Sequence, residues 1–542
     1  MADDTDGITK YSLGTDVKAE DVYNRLTTKR QAVVDMGRLM AELTVPSVFP
    51  PDGYQTGDDI PGNNQSIGAQ CLNTLASALM FMAFPSNQPI MRLKALEYMV
   101  QEEVDKDPEL WTRLNTALSR LELSHRERLQ TTPIETAYVE YLKILLVGGN
   151  GLWKHLKLSS PTAHRPPSYV VKRDKAGEQL LVIHKETVNL QGMDQDHVDL
   201  IMAHAPSDLF KDKAEWEREV DIYSVQKLSL AEDGEKVWLY WEEWEGHVLP
   251  DTHVETDYET PPMHAGWLIP VWGQDWGQGY CEQYRGDLYQ VEALASAGND
   301  GAALAALALI FNKPGSQTSI KQVREAKNLS ILSGQAEDLS VFRSDKTADL
   351  SFVGTREEAA ARRLSAAFLL QSSVQRSGER VTAEEVRRLG QELDKALGGL
   401  YTQIAQGNQR VIIMRAVRLN EEENPRLPQL PKGVVEVQVI TGKDALGDST
   451  EADNLVEVVG TTVKFFPQAA QVQLSAGDFA RRLSALRGVK PDGLIKSDQQ
   501  VAEDIQQQKQ EALGGQLIDK ATGPAVKGFA DAMAQQPAQT LQ

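Results

Sequence analysis

The hydrophobic period of this chain changes twice along its length, and that change limits the fold more than any other feature. Up to about Gly148 the apolar residues recur three or four positions apart, the spacing of one helix face. Val22, Leu26, Val33, Met36, Leu39, Met40 and Leu43 make one such stripe within residues 18–45. Ile67, Cys71, Leu72, Leu75, Leu79 and Met82 make a second from Gln65 to Ala83, ended near Pro85, and the Pro-, Gly- and Asp-rich stretch Pro46–Asn64 between them predicts a loop. Residues 108–147 are again helical, broken at Thr131–Pro133 and stopped by Gly148, Gly149 and Gly151. Then the spacing shortens to two. Ser168–Asp174, a turn at Gly177 and Gln179–His184 predict a β-hairpin, and 219–226 and 236–247 predict two more strands around Gly234. This α+β block ends near Gly279.

Helical spacing then returns. An Ala/Leu-rich helix is expected from Asp287 to Phe311, halted at Pro314. Residues 315–353 mix short β-like pieces, Leu329–Leu332 and Leu339–Phe342, with polar turns, which makes a compact insert between two helices. Thr355 and Glu358 fit a capping box that opens a helix running to about Leu370. After the polar loop Gln371–Val381, Thr382 and Glu385 fit a second one. The helix it opens carries Val386, Leu389, Leu393, Leu397, Leu400 and Ile404 on one stripe, which must pack on a neighbour. Pro425, Pro428 and Pro431 mark a linker, 433–440 predicts a strand, and 450–511 is mainly helical. From Gly514 onward there is little to bury, and a mobile tail is expected. The fold class is therefore α+β, mainly helical.

Composition narrows the chemistry. At 542 residues the chain exceeds one compact core, so several parts are expected. A net charge of −21 argues against a basic surface that grips nucleic acid along its length, though a mostly repulsive wall with a few basic residues suits a duplex that slides. Cys71 and Cys281 are the only cysteines, too few for a disulfide framework or a Cys-x-x-Cys metal pair, and they suit a reducing cytoplasm. The acidic, polar start Met1–Lys10 is not a signal peptide, and the longest apolar run, Ala302–Phe311, falls short of a membrane span.

Catalytic motifs are missing. There is no phosphate loop, since Gly442-Lys443 follows a β-like stretch, and Gly277-Gln-Gly279 lacks the third glycine of a dinucleotide fingerprint. Asp194, Asp196, His197, Asp199 and His204 have the residue types of a metal site, but a solvated helix start is the simpler reading. Trp238, Trp241, Trp244, Trp267, Trp272 and Trp276 have the types of a base-stacking platform, but alternation in strands points to core or interface packing. No enzyme, cofactor or metal is expected.

Four segments, taken in order, resemble the portal proteins of short-tailed, T-seven-like double-stranded DNA phages (the Autographiviridae type). The strongest is residues 364–401, where Gln375-Arg376-Ser377-Gly378-Glu379-Arg380-Val381-Thr382-Ala383-Glu384-Glu385 follows the family almost residue for residue. The others are Gly68–Met80 with Phe84-Pro85, Ser168–Asp174 and Gly279–Leu288. The likeness spans about residues 20–410 and fades after about 435.

The resemblance implies a portal fold of wing, stem, clip and crown, closed as a ring, typically of twelve, around an axial channel. On that pattern 1–286 is an N-terminal α+β wing, and 287–312 and 354–370 are stem helices flanking a clip at 313–353. Residues 371–381 become the channel (tunnel) loop, 382–435 the long wing helix and linker, 436–513 the crown and 514–542 a flexible tail. Gln375, Arg376, Glu379 and Arg380 would ring the bore. Arg376 and Arg380 have two uses open to them, phosphate contact or ion pairs with Glu384 or Glu385, and both can hold in different states of the loop. Lys313, Lys321, Arg324 and Lys327 would give the clip a partner surface, against the plainer reading of an exposed mixed-charge face. Leu389, Leu393, Leu397 and Leu400, with the Ala-rich helix 293–311, are the candidates for packing between copies.

The partners implied are further copies of the chain, double-stranded DNA, the terminase packaging ATPase, major capsid and scaffolding proteins, and tail adaptor proteins. No membrane is implied; the place is the virion's portal vertex, with the host cytoplasm during assembly. Two rival readings remain, another virion ring or tail-adaptor protein and a metal-dependent nuclease built on Asp194–His204.

Overall fold

The structure is a computed structural model. It describes residues 10–370 apart from 15–16, 56, 59, 61, 85–89, 97–107, 207–208, 211–212, 307–308, 317 and 343–346; residues 397–439 apart from 426 and 428–433; and residues 455–467, 477, 479–480 and 483. The chain divides into two units, Met1–Lys443 and Asp444–Gln542.

In the first unit the predicted N-terminal helices form where the apolar stripes place them. Helix α1 (Ala19–Glu42) buries Tyr23, Val34, Met40 and Ala41, and α2 (Ile67–Ala83) buries Cys71, Leu72, Leu75, Leu79 and Met82. Strand β1 (Met91–Ala95) follows, then α3 (Pro108–Gln130) and α4 (Ile134–Gly148). At the break between those two helices the hydroxyls of Thr131 and Thr132 donate to the carbonyls of Arg128 and Leu129, satisfying groups that a helix end leaves open. Helix α4 stops at Gly149, whose φ of 73° suits only glycine well and whose amide caps Leu145. The ring of Phe49 is clamped by two more glycines. A Cβ at Gly37 would lie 2.8 Å from Phe49 Cε1, and one at Gly148 2.3 Å from Phe49 Cζ.

The alternating block folds into two sheets. Strands β2 (Asn150–Lys154) and β3 (Thr162–His164) precede β4 (Tyr169–Arg173) and β5 (Gln179–Asn189). After helix α5 (Gln195–His204) come β6 (Glu219–Leu230), β7 (Lys236–Trp244), β8 (His247–Val248), β9 (Val254–Asp257) and β10 (Met263–Trp267). Six strands pair antiparallel in the order β4-β5-β6-β7-β8 with β9 also on β7, and three pair in the order β10-β2-β3.

Alternation gives the larger sheet two apolar faces. On one, Val170, Ile183, Tyr223, Val225, Leu239 and Trp241 pack on Ala19 and Tyr23 of α1. On the other, Tyr169, Val171, Val182 and Tyr240 meet Leu152, Met263 and Ala265 of the smaller sheet. A slip of one residue would exchange the two sets, so the register is fixed by both neighbours. Trp238, Trp241 and Trp244 are buried here, as the core reading expects, whereas Trp272 is exposed. Gly277 and Gly279 have a packing role: a Cβ on either would strike a main-chain oxygen, Ile269 O at 2.6 Å or Val147 O at 2.4 Å. The Asn150 amide clasps Gly277 there, accepting from its N–H and donating to its carbonyl, both at 2.7 Å.

The next stretch is a helical hairpin. A short helix α6 (Tyr280–Gln283) leads into α7 (Arg285–Ala306), β11 (Leu309–Asn312), α8 (Ile320–Glu325), β12 (Leu339–Phe342) and α9 (Thr347–Ala367). Helices α7 and α9 run antiparallel: Asp287 pairs with Arg363 at 2.6 Å, while a Cβ at Gly301 would meet Leu350 Cδ2 at 2.3 Å. Strands β11 and β12 pair antiparallel, with Leu309 opposite Phe342 and Asn312 opposite Leu339.

Two expected boundaries are corrected here. The first helix ends at Ala306 instead of Asn312, because Leu309-Ile-Phe-Asn312 pairs with 339–342. The second begins at Thr347 instead of 354, so Thr355 is interior and its hydroxyl donates back to Ser351 O at 2.9 Å instead of capping.

The last part of the unit comprises α10 (Gly399–Thr402), a π-helical turn Gln403–Gln409, α11 (Arg410–Glu423) and β13 (Val435–Val439), which pairs antiparallel with β1. The helix expected to run unbroken through Ile404 is interrupted at Gly398, which has φ 53°. The π turn places Asn408 wholly inside, where its Oδ1 accepts from Tyr141 OH at 2.9 Å and its Nδ2 donates to Trp267 O at 3.2 Å. One large core joins α1, α2, α4, α7, α9 and α11 through Leu72, Leu145, Val291, Leu364, Phe368 and Ile413. In the second unit residues 455–465 are helical, with Val458 and Val463 exposed. Among the described residues no helix is long and apolar enough to cross a membrane.

Candidate functional site

The tip of the α7–α9 hairpin is the segment expected to offer a partner surface, and it is widely exposed. Between Asn312 and Leu339 the chain buries very little. Its fixed point is Thr318, which donates to Asp338 Oδ2 at 2.9 Å and accepts from Gln335 N–H at 3.0 Å, while Lys313 N–H donates to Asp338 O at 2.9 Å. Thr318 and Asp338 are buried; almost everything around them faces solvent.

All four cations expected to form a partner surface, Lys313, Lys321, Arg324 and Lys327, are exposed on this insert, and so are Glu325 and Glu337. The structure adds what charge counting missed. Leu329 is 94% exposed, Ile331 101% and Ile320 60%. Leu329 also holds φ 67°, a left-handed conformation that is costly for a branched side chain. The signal was present as the apolar pieces of Leu329–Leu332, but alternation alone reads as buried strand.

The other expected residues fare differently. Gln375, Arg376, Glu379, Arg380, Leu389 and Leu393 lie outside the described residues. The chain on either side of them is anchored: Phe368 and Leu397 both belong to the main core. Leu397 is 8% exposed and Leu400 is half-buried against the same core. The outward face of α7 carries Ala293, Ala297, Ala302, Ala303 and Leu304, a small-residue surface that lets another helix come close.

The acidic and histidine cluster of α5 is not brought together. His197 Nε2 lies 2.8 Å from Pro250 O, His204 Nδ1 lies 3.0 Å from Leu200 O, and Asp199 accepts from Gln195. Among the described residues its donors do not form a metal-binding group. The nuclease reading loses the geometry that motivated it.

A family model for the bacteriophage head to tail connecting protein matches residues 17–495. The chain belongs to that family. As a connector it has curated relatives that cover nearly all of it. The portal protein of Enterobacteria phage T3 is 29% identical over 503 residues, covering 91% of this chain and 90% of its own. The portal protein of Escherichia phage T7 is 28% identical over 537 residues, covering 96% and 97%. Among solved structures, a chain from the neck of an empty GTA particle aligns with 79% of the connector and 91% of its own length, at a TM-score of 0.35 and 13% identity, a distant likeness. The resemblance seen in the four sequence segments is thus that of a head-to-tail connector, and a structural family fits the lack of catalytic motifs.

Proposed function

We propose that copies of this connector close into a ring around an axial channel, through which double-stranded DNA enters the capsid and later leaves it. The hairpin tip docks the terminase ATPase first and tail proteins afterwards. The observation that carries this reading is the antiparallel helix pair α7 and α9 with the strand pair β11 and β12, whose charged and apolar tip is exposed and whose second helix is followed in sequence by the arginine segment 371–381. Relatives named portal protein over nine-tenths of their length support it. Portal proteins are virion components, and the connector belongs at the same vertex.

Arg376 and Arg380, repeated around the ring, would meet the phosphates of the passing duplex, with Glu379 limiting the net attraction. The rest of the acidic chain repels DNA and so lets it slide. Copies of a −21 chain also repel one another, and the alanine face of α7 and the apolar tip supply contacts against that repulsion.

Charge reversal at Arg376 and Arg380 is expected to leave ring assembly intact and to release packaged DNA from filled heads. Unchanged DNA retention removes both residues from the mechanism. Without a phosphate loop the purified chain is expected to hydrolyse no ATP; turnover that survives further purification would contradict a separate motor. An image of the purified assembly down its axis tests the ring itself, and a bore too narrow for B-form DNA would sink the reading.

A further inference from the structure

Between the two sheets the apolar packing gives way to a polar cluster. His184 on β5 stands opposite Ser224 on β6, and Ser224 stands opposite Glu242 on β7, so the three share one face. Glu186, two residues beyond His184, is on that face too. His164 at the end of β3 and Lys154 at the end of β2 approach from the smaller sheet, and the rings of His164 and His184 have centroids 4.1 Å apart. Lys154 Nζ donates to Glu186 Oε2 at 2.6 Å and to Ser224 Oγ at 3.0 Å, and stands 3.7 Å from Glu242 Oε1. Tyr240 OH donates to Glu242 Oε1 at 2.5 Å.

We propose that His164, His184 and Glu186 form a binding site for one divalent ion of the zinc type in each chain. Their ligand atoms all lie within 4.8 Å of one another. His184 is fully buried, yet neither ring nitrogen has a hydrogen-bond partner, and Nδ1 is 3.5 Å from Glu186 Oε2. A buried imidazole left unpaired is costly, and a metal bond uses its lone pair. His164 is already oriented, with Nε2 2.9 Å from Thr162 Oγ1, which leaves Nδ1 as the ligating atom.

The charge balance points the same way. Glu186 and Glu242 both lie within 3.7 Å of Lys154 Nζ, so two carboxylates share one ammonium. Two nitrogens and one carboxylate oxygen favour zinc, cobalt, nickel or copper over magnesium or calcium. Lys154 occupies Glu186 now; on ion binding it passes to Glu242, already near. The ion would then tie β3, an edge strand of three residues, to the centre of the larger sheet.

The test uses untagged full-length protein, stripped with a chelator and titrated with zinc sulfate. One ion per chain and a higher unfolding midpoint are expected. His164→Gln, on an edge strand, and Glu186→Gln should each weaken binding about tenfold or more, with circular dichroism confirming the fold. Cobalt-loaded wild-type protein should show the visible bands of a nitrogen–oxygen site in which water completes the three protein ligands. No stoichiometric zinc uptake, no such bands, or equal affinity in both folded variants would overturn the site.

Discussion

At the scale of single residues, one half-buried carboxylate is expected to make stability depend on pH. Glu122 on α3 accepts the N–H of Leu93 at 2.6 Å, and burial pushes its carboxyl up from 4.5 to about 7 against the pull of that bond and of Arg92. A carboxyl raised in the folded state costs nothing while both states are protonated, below its unfolded pKa. Stability then falls as pH rises from about 4.5 to about 7 and stays lower above that. Glu122→Gln keeps an acceptor for Leu93, so it should stabilise the protein by roughly 1–3 kcal/mol at pH 8 and change little at pH 4, read from urea melts at both values. Gly148→Ala is expected to act at every pH. Its Cβ would press Phe49, whose other side is held by Gly37, and overpacking of that kind costs about 1–3 kcal/mol.

At the scale of elements, the readable parts were those whose signal is local. The stripes of α1 and α2 and the hairpin β4–β5 formed where spacing placed them, because neighbouring residues carry the whole pattern. Leu309–Asn312 was read as the end of a helix because its partner strand lies some thirty positions away in the chain, and pairing over that distance leaves no trace in local periodicity. The break at Gly398 was missed for a related reason: an apolar stripe stays regular across one residue of positive φ. The cluster of His164, His184 and Glu186 joins strands of two different sheets, so spacing along the chain says nothing of it. Because the tip adds nothing to the main core, replacing residues 313–338 with a two-residue Asn-Gly turn should leave the unfolding midpoint nearly unchanged. The same deletion should abolish capture of the terminase large subunit in a pull-down; retained capture would move the docking surface elsewhere.

At the scale of the whole molecule, family membership and near-complete coverage by portal proteins answer what the chain is for, while the proposal for Arg376 and Arg380 rests on likeness to a family and not on any pattern that physics alone would single out. A negative chain repeated around an axis should make assembly respond to salt: rings are expected to grow more populated, by light scattering, as ionic strength rises from about 0.01 to 0.15 M and screening shortens from about 30 to 8 Å. The helical hairpin has a mechanical consequence. Two antiparallel helices of some twenty residues, clamped at one end by Asp287 and Arg363 and seated in the core by Phe368, form a stiff lever roughly 30 Å long. Under the proposed docking, a load applied at its far end would be delivered at the fulcrum, eight residues before Arg376 in the sequence.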